Sequence, residues 1–141
     1  MKRLFSLLCC AALCFTTFAG CGLGLVQTGD TDYNMRDTIL VGFSQVGAES
    51  EWRVANSESM KSALSEENGF ELIFDDARNE QENQIRAIRT FIQQDVDYIV
   101  FSPRVETGWN SILLEARDAG IPVIVIDRDI EVSDRSLYTA H

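Results

Sequence analysis

From residue 38 onward, short apolar runs alternate with longer stretches in which apolar residues recur at helical spacing. TILVGFS, residues 38–44, is a compact apolar run and predicts a first strand. Residues 51–67 predict a helix whose inward stripe is Trp52, Ala55, Ser59 or Met60, Ala63 and Leu64. Asn68-Gly69 then stops it, because both residues tolerate a left-handed cap. Residues 70–75 predict a second strand. Residues 80–94 predict a helix with Ile85, Ile88, Phe91 and Ile92 on one face and charges opposite. Residues 96–102 predict a third strand, closed by Pro103. Thr107 is placed to cap a helix that runs to Ala119 and stops at Gly120. IPVIVID, residues 121–127, climbs through apolar residues to an abrupt Asp127-Arg128 pair and predicts a buried fourth strand. Residues 137–140 predict the start of a fifth. Strand and helix alternate about every 25–30 residues, which implies βαβ units, right-handed crossovers and a doubly wound parallel α/β sheet.

The amino terminus has a different pattern. Met1-Lys2-Arg3 is a charged start, and residues 4–18 are an apolar run too short to span a bilayer comfortably. Phe18-Ala19-Gly20-Cys21 resembles the bacterial lipoprotein signal, with Phe18 where that signal usually has Leu. Residues 1–20 are therefore expected to be a lipoprotein-type signal peptide and Cys21 the lipidated first residue of the mature protein. The bland alternative is an ordinary cysteine of the apolar run. Residues 21–37, rich in Gly, Thr and Asp, are expected to form a flexible tether. Cys9, Cys10, Cys14 and Cys21 are the only cysteines, so disulfides and cysteine chemistry are excluded from the predicted domain, residues 38–141. Loss of residues 1–20 removes two cations and no acid, taking the formal charge from −10 to −12. An acidic body disfavours nucleic acid as a partner. The single histidine, His141, is the last residue, which disfavours histidine-based catalysis or metal binding.

Ligands of open α/β sheets bind outside the carboxyl ends of the strands. The first strand is succeeded there by Ser44-Gln45-Val46-Gly47 and then Glu49, Ser50, Glu51, Trp52 and Arg53, the second by Asp75-Asp76, the third by Ser102-Pro103-Arg104, and the fourth by Asp127-Arg128. An aromatic face can stack on a sugar ring while Arg donates to, and Asp accepts from, its hydroxyls. The set has no activated nucleophile and no histidine base, so it suits binding rather than turnover. Each residue has a structural alternative. Trp52 suits the core as well as a ligand face, Arg53 suits a surface pair with Glu49 or Glu51, and Asp127-Arg128 suits a strand-end salt bridge. Trp109 is expected in the core. Asp75, Asp76, Asn79 and Asn83 are expected to be turn or cap residues. The segment 42–47 is neither G-x-G-x-x-G nor a P-loop, and the paired acids of a phospho-receiver would come after strand one rather than strand two.

VGFSQVGAESEWR, DDARNEQENQIRAIRTFI, VDYIVFSP, ILLEARDAGIPVIVIDRDI and SLYTAH together resemble the amino-terminal half of the type I periplasmic sugar-binding proteins. These are the ribose- and galactose-type substrate-binding subunits of ABC importers, and the resemblance is strongest to the galactofuranose-binding members of enteric bacteria. It covers residues 38–141. It implies two similar α/β lobes with a sugar held between them, and the ligand residues that carry over are Glu49, Ser50, Glu51, Trp52, Arg53, Asp127 and Arg128. Glu51 stands where Gly is expected in those members, which leaves its backbone rather than its side chain to line the site. Members run to roughly twice this length, so the chain is expected to be an incomplete amino-terminal lobe holding one wall of the site.

The expectation is therefore an extracytoplasmic, lipid-anchored, monomeric binding component of a carbohydrate importer, without metal or organic cofactor. Its partners would be a furanose-like monosaccharide and a membrane permease. The alternative class is a sugar sensor feeding a membrane signalling receptor. A transcription repressor of this fold would need a helix-turn-helix where the export signal stands. An enzyme would need a nucleophile, base or cofactor loop that the rim does not supply.

Overall fold

The computed structural model describes residues 37–140. All of these residues belong to a single unit. The expected signal peptide, Cys21 and residues 22–36 of the expected tether lie outside the described residues.

Five parallel strands form one sheet. They are β1 (Ile39–Gln45), β2 (Phe70–Asp76), β3 (Tyr98–Phe101), β4 (Val123–Val125) and β5 (Thr139–Ala140), in the spatial order β2-β1-β3-β4-β5. Three helices make the crossovers: α1 (Glu51–Ala63), α2 (Gln81–Gln93) and α3 (Asn110–Asp118). Chain order reverses between β1 and β3. The loops leaving these two neighbours diverge, one toward β2 and the other toward β4, which opens a crevice at their carboxyl ends.

Alternation along the strands sends successive side chains to opposite faces. Leu40, Ile99, Phe101, Val123 and Val125 pack with Ile88 and Phe91 of α2 and Ile112 and Leu113 of α3. Val41, Phe43 and Val100 face the other way and meet Met60 and Leu64 of α1. Trp109 is fully buried as expected. Its indole N–H donates to the Val105 carbonyl at 2.7 Å, and its ring lies 4.8 Å from that of Phe101. Gly42 lets α2 approach the sheet closely, since a Cβ there would sit 2.6 Å from Phe91 Cδ2.

Four expectations need correction. Helix α1 ends at Ala63, not residue 67, because Ser65 is extended and a separate 3-10 turn occupies Glu66–Asn68. Asn68 still ends the helix, through its side chain, which donates to the Ser62 and Ala63 carbonyls at 3.2 and 3.1 Å. The inward stripe of α1 is also rotated. It contains Arg53, Asn56, Ser57, Met60 and Leu64, whereas Trp52, Ala55, Ser59 and Ala63 are exposed. Thr107 does not cap α3. Gly108 takes a positive φ of 90°, the Thr107 carbonyl accepts from Gln81 Nε2, and the helix begins at Asn110. Strand β4 ends at Val125, since Asp127 turns into the left-handed region at φ 74°.

Candidate functional site

The last residues of β1 prepare the site. Gln45 is buried at the end of the strand, and the chain leaves through Val46 and Gly47 to Ser50, the N-cap of α1. Ser50 Oγ accepts from the Arg53 backbone N–H at 3.3 Å, satisfying one of the free donors at the helix start. This cap fixes where the first turn of α1 points. Trp52 projects outward with 54% of its surface exposed, so the structure rejects the core alternative for it.

Arg53 lies one residue on and faces inward. Its guanidinium does not pair with Glu49 or Glu51. Nη2 instead stands 3.8 Å from Asp127 Oδ2, across the crevice from the end of β4, and the side chain is only 17% exposed. At that distance the pair is a long ion pair and not a hydrogen bond. Nη1 is buried and has no hydrogen-bond partner among the described residues. A buried guanidinium N–H without an acceptor costs about 1–3 kcal/mol. Such a group points to a site that receives an acceptor from elsewhere.

Asp127 is set by its backbone. A non-glycine residue at φ 74° stores strain, and strain of this kind concentrates at functional sites. Ser102 Oγ, from the loop after β3, donates to Asp127 Oδ2 at 3.2 Å. Arg128 Nε stands 4.0 Å from the same oxygen, and Arg128 Nη1 donates to the Arg104 carbonyl at 3.4 Å. The strand-end salt bridge between Asp127 and Arg128 is therefore a long contact, and Arg128 also bridges to the β3 loop. That loop is held from beneath. The fully buried Gln84 donates to the Ser102 carbonyl at 2.6 Å and accepts from the Arg104 N–H at 2.8 Å.

Of the residues singled out in the sequence, the structure brings Arg53, Asp127 and Arg128 together at the reversal of strand order. Glu49, Ser50 and Glu51 line a shallow hollow with Ala48, Val54 and Ala55 on the flank of the α1 start. The Glu49 carboxylate folds back over Gly47, where its Oε2 would lie 2.6 Å from a Cβ. Asp75 is not a cap. Ser44 Oγ donates to it at 3.3 Å, and burial raises its pKa above the usual carboxylate value. Asp76 does act as a turn residue, accepting from the Arg78 N–H at 2.9 Å, and Asn79 occupies the left-handed region expected of a turn. Asn83 braces the same turn by donating to the Ala77 carbonyl at 2.9 Å. Sequence reasoning places Gln45 and Ser102 on the rim without a supporting role, and it does not single out Gln84. Gln45 and Ser102 do carry a signal, as polar side chains at or just beyond the ends of apolar strands, whereas Gln84 is a buried polar residue of α2. Among the described residues, no group of three or more His, Cys, Asp or Glu is arranged to hold a metal ion.

Residues 41–140 match the family model described as a periplasmic binding protein domain. The galactofuranose-binding protein YtfQ of Escherichia coli K12 is 51% identical over 100 residues, covering 71% of this chain and 31% of that protein. A structure from Mycobacterium smegmatis in complex with β-D-fucofuranose is 57% identical, with a TM-score of 0.69, and covers 72% of this chain and 33% of that one. The periplasmic binding component of the arabinose ABC transporter of Shewanella sp. ANA-3, bound to α- and β-L-arabinofuranose, is 52% identical with a TM-score of 0.68, covering 70% of this chain and 32% of that one. The chain thus spans about a third of the length of these relatives. YtfQ and the Shewanella protein are binding proteins. On the match over residues 41–140, the chain belongs to the periplasmic binding protein family.

Proposed function

We propose that the protein is the substrate-binding component of a carbohydrate ABC importer, capturing a monosaccharide in its furanose form outside the cytoplasmic membrane and delivering it to a permease. The observation that carries this is the buried, unpartnered Nη1 of Arg53 beside Asp127 at the carboxyl ends of β1 and β4. The furanose ligands of the M. smegmatis and Shewanella proteins support the choice of sugar.

Capture needs no bond to break. Trp52, already exposed at the start of α1, stacks on the ring. Arg53 and Arg128 donate to ring and hydroxyl oxygens, and Asp127 accepts from hydroxyls. Glu49 accepts a further hydroxyl after swinging away from Gly47, and Ser50 and Glu51 contribute the backbone of the same loop. Cys21 carries a lipid that keeps the protein at the membrane near its permease. The test is calorimetric titration of the complete gene product with D-galactose and L-arabinose, each of which holds furanose forms in solution, alongside the non-sugar control glycine. Saturable binding of either sugar, lost in Asp127→Asn, is expected. Equal heats for sugar and glycine would end the proposal. Incorporation of labelled palmitate that disappears in Cys21→Ala tests the anchor separately.

A further inference from the structure

Gln45 closes β1 with only 1% of its surface exposed, yet it is a polar residue at the end of an apolar strand. Its amide orientation is fixed chemically. The Val46 N–H can only donate, so the atom 3.1 Å from it must be Oε1. Nε2 therefore faces α1. It donates to Asn56 Oδ1 at 2.9 Å and Ser57 Oγ at 3.3 Å, and it reaches the Arg53 carbonyl at 3.5 Å. Ser57 Oγ passes the link on by donating to that same carbonyl at 2.9 Å. One buried amide thus grips the first two turns of α1, and two of its lines converge on the backbone of Arg53.

Little else holds this end of the helix to the sheet. The apolar contacts of α1 with the core come from Met60 and Leu64 at the far end, while Trp52, Val54 and Ala55 near the start are exposed. Arg53 also has a reason to move. A small shift toward Asp127 would turn the 3.8 Å ion pair of Nη2 into a hydrogen bond and carry the guanidinium, with its still unsatisfied Nη1, away from where it now points. We propose that Gln45 is the positioning residue of the site: it holds the α1 backbone so that Arg53 Nη1 stays without a protein acceptor and aimed at the ligand. The proposal rests on the binding function above and adds to it a residue that does not touch the sugar. Preorganisation of this kind raises affinity by removing the cost of ordering the site on binding.

The test is a double-mutant cycle on L-arabinose affinity, measured by calorimetry in the complete gene product. Gln45→Met keeps the length of the side chain and removes its polar atoms. It is expected to raise Kd about tenfold in the wild-type background. In an Arg53→Met background the same change is expected to raise Kd by less than about twofold, because the group it positions is gone. Asn56→Ala removes one of the Nε2 acceptors with less disturbance. It is expected to show a smaller loss with the same background dependence, and it carries the test if Gln45→Met does not fold. Equal losses in the two backgrounds, or no loss in either, overturns the positioning role while leaving the binding function intact. Absence of L-arabinose and D-galactose binding by the unsubstituted protein overturns both.

Discussion

Replacing Arg53 with Met separates a binding arginine from a structural one. The side chain is 17% exposed, and its one ion pair, to Asp127, spans 3.8 Å. At an effective dielectric near 20, two charges about 4 Å apart attract by about 4 kcal/mol before desolvation and ordering are subtracted. Pairs that remain partly exposed keep a net of about 0–1 kcal/mol. Against this stands the buried Nη1 donor without a partner, which costs about 1–3 kcal/mol. The Met side chain retains most of the packing of the Arg stem. Folding stability should therefore change by less than about 1 kcal/mol or rise, measured as the shift in urea midpoint at constant slope. Sugar affinity should move the other way. A lost charge-assisted hydrogen bond of about 1.5–3 kcal/mol raises Kd about 10- to 150-fold in a calorimetric titration. A variant destabilised by more than about 2 kcal/mol that binds sugar as the parent does would show Arg53 to be a structural ion-pair residue and refute the reasoning.

The same geometry fixes three further outcomes. Sugar binding should change the tryptophan fluorescence of the complete gene product in a way that vanishes in Trp52→Phe and survives in Trp109→Phe, since Trp52 is 54% exposed and Trp109 fully buried; the reverse pattern sinks the stacking role. Gly42→Ala should destabilise by about 1–3 kcal/mol in urea, because the new methyl would overlap the Phe91 ring, with Cδ2 at 2.6 Å and Cγ closer still, and Phe91→Leu should recover part of the loss; an additive double variant would contradict this contact. The Asp129 carboxyl is held below its ordinary value of 3.8, first by the Tyr138 hydroxyl, then by Arg135 and the Ile130 N–H. A carboxylate depressed in the folded state contributes stability above its unfolded pKa and loses it as pH falls through the folded one. The stability gap between the parent and Asp129→Asn should thus be full above about pH 5 and close progressively below about pH 4; a gap that is flat with pH would show the hydrogen bonds to be indifferent to charge.

The sheet is legible in the sequence because its strands are short runs of Val, Ile and Phe separated by helices with one apolar face. Helix α2 is equally plain, with Ile88 and Phe91 buried as its spacing implies. Helix α1 is rotated from its sequence-based orientation, and the reason is physical. An apolar-inward rule assigns Trp52 and Ala55 to the core, but the start of this helix faces a crevice. Its inward residues there are Arg53, Asn56 and Ser57, matched by the polar end of β1 at Gln45. Local rules fail in this way where a segment serves a site rather than the core. The rim residues Arg53, Asp127 and Arg128 are legible because they lie just beyond the carboxyl ends of apolar strands, where an open α/β sheet binds its ligand. The sequence marks Gln45 and Ser102 only as polar residues at the ends of apolar strands; their supporting roles, and that of Gln84, come from contacts between residues apart in sequence, which no local pattern encodes. The start of α3 is displaced from its expected place because Gly108 at positive φ delays a helix that Thr107 was expected to cap.

The central claim is that a sugar sits over the carboxyl ends of β1, β3 and β4 with Arg53 as its main donor. A crystal structure of the complete gene product grown with L-arabinose tests this most directly. The account predicts a sugar oxygen within about 3.2 Å of Arg53 Nη1, a hydroxyl on Asp127 and the Trp52 ring against the sugar face. A sugar bound elsewhere, for instance in the polar hollow beside Asp75, Arg78 and Arg86, with Arg53 Nη1 still unpaired, would contradict it.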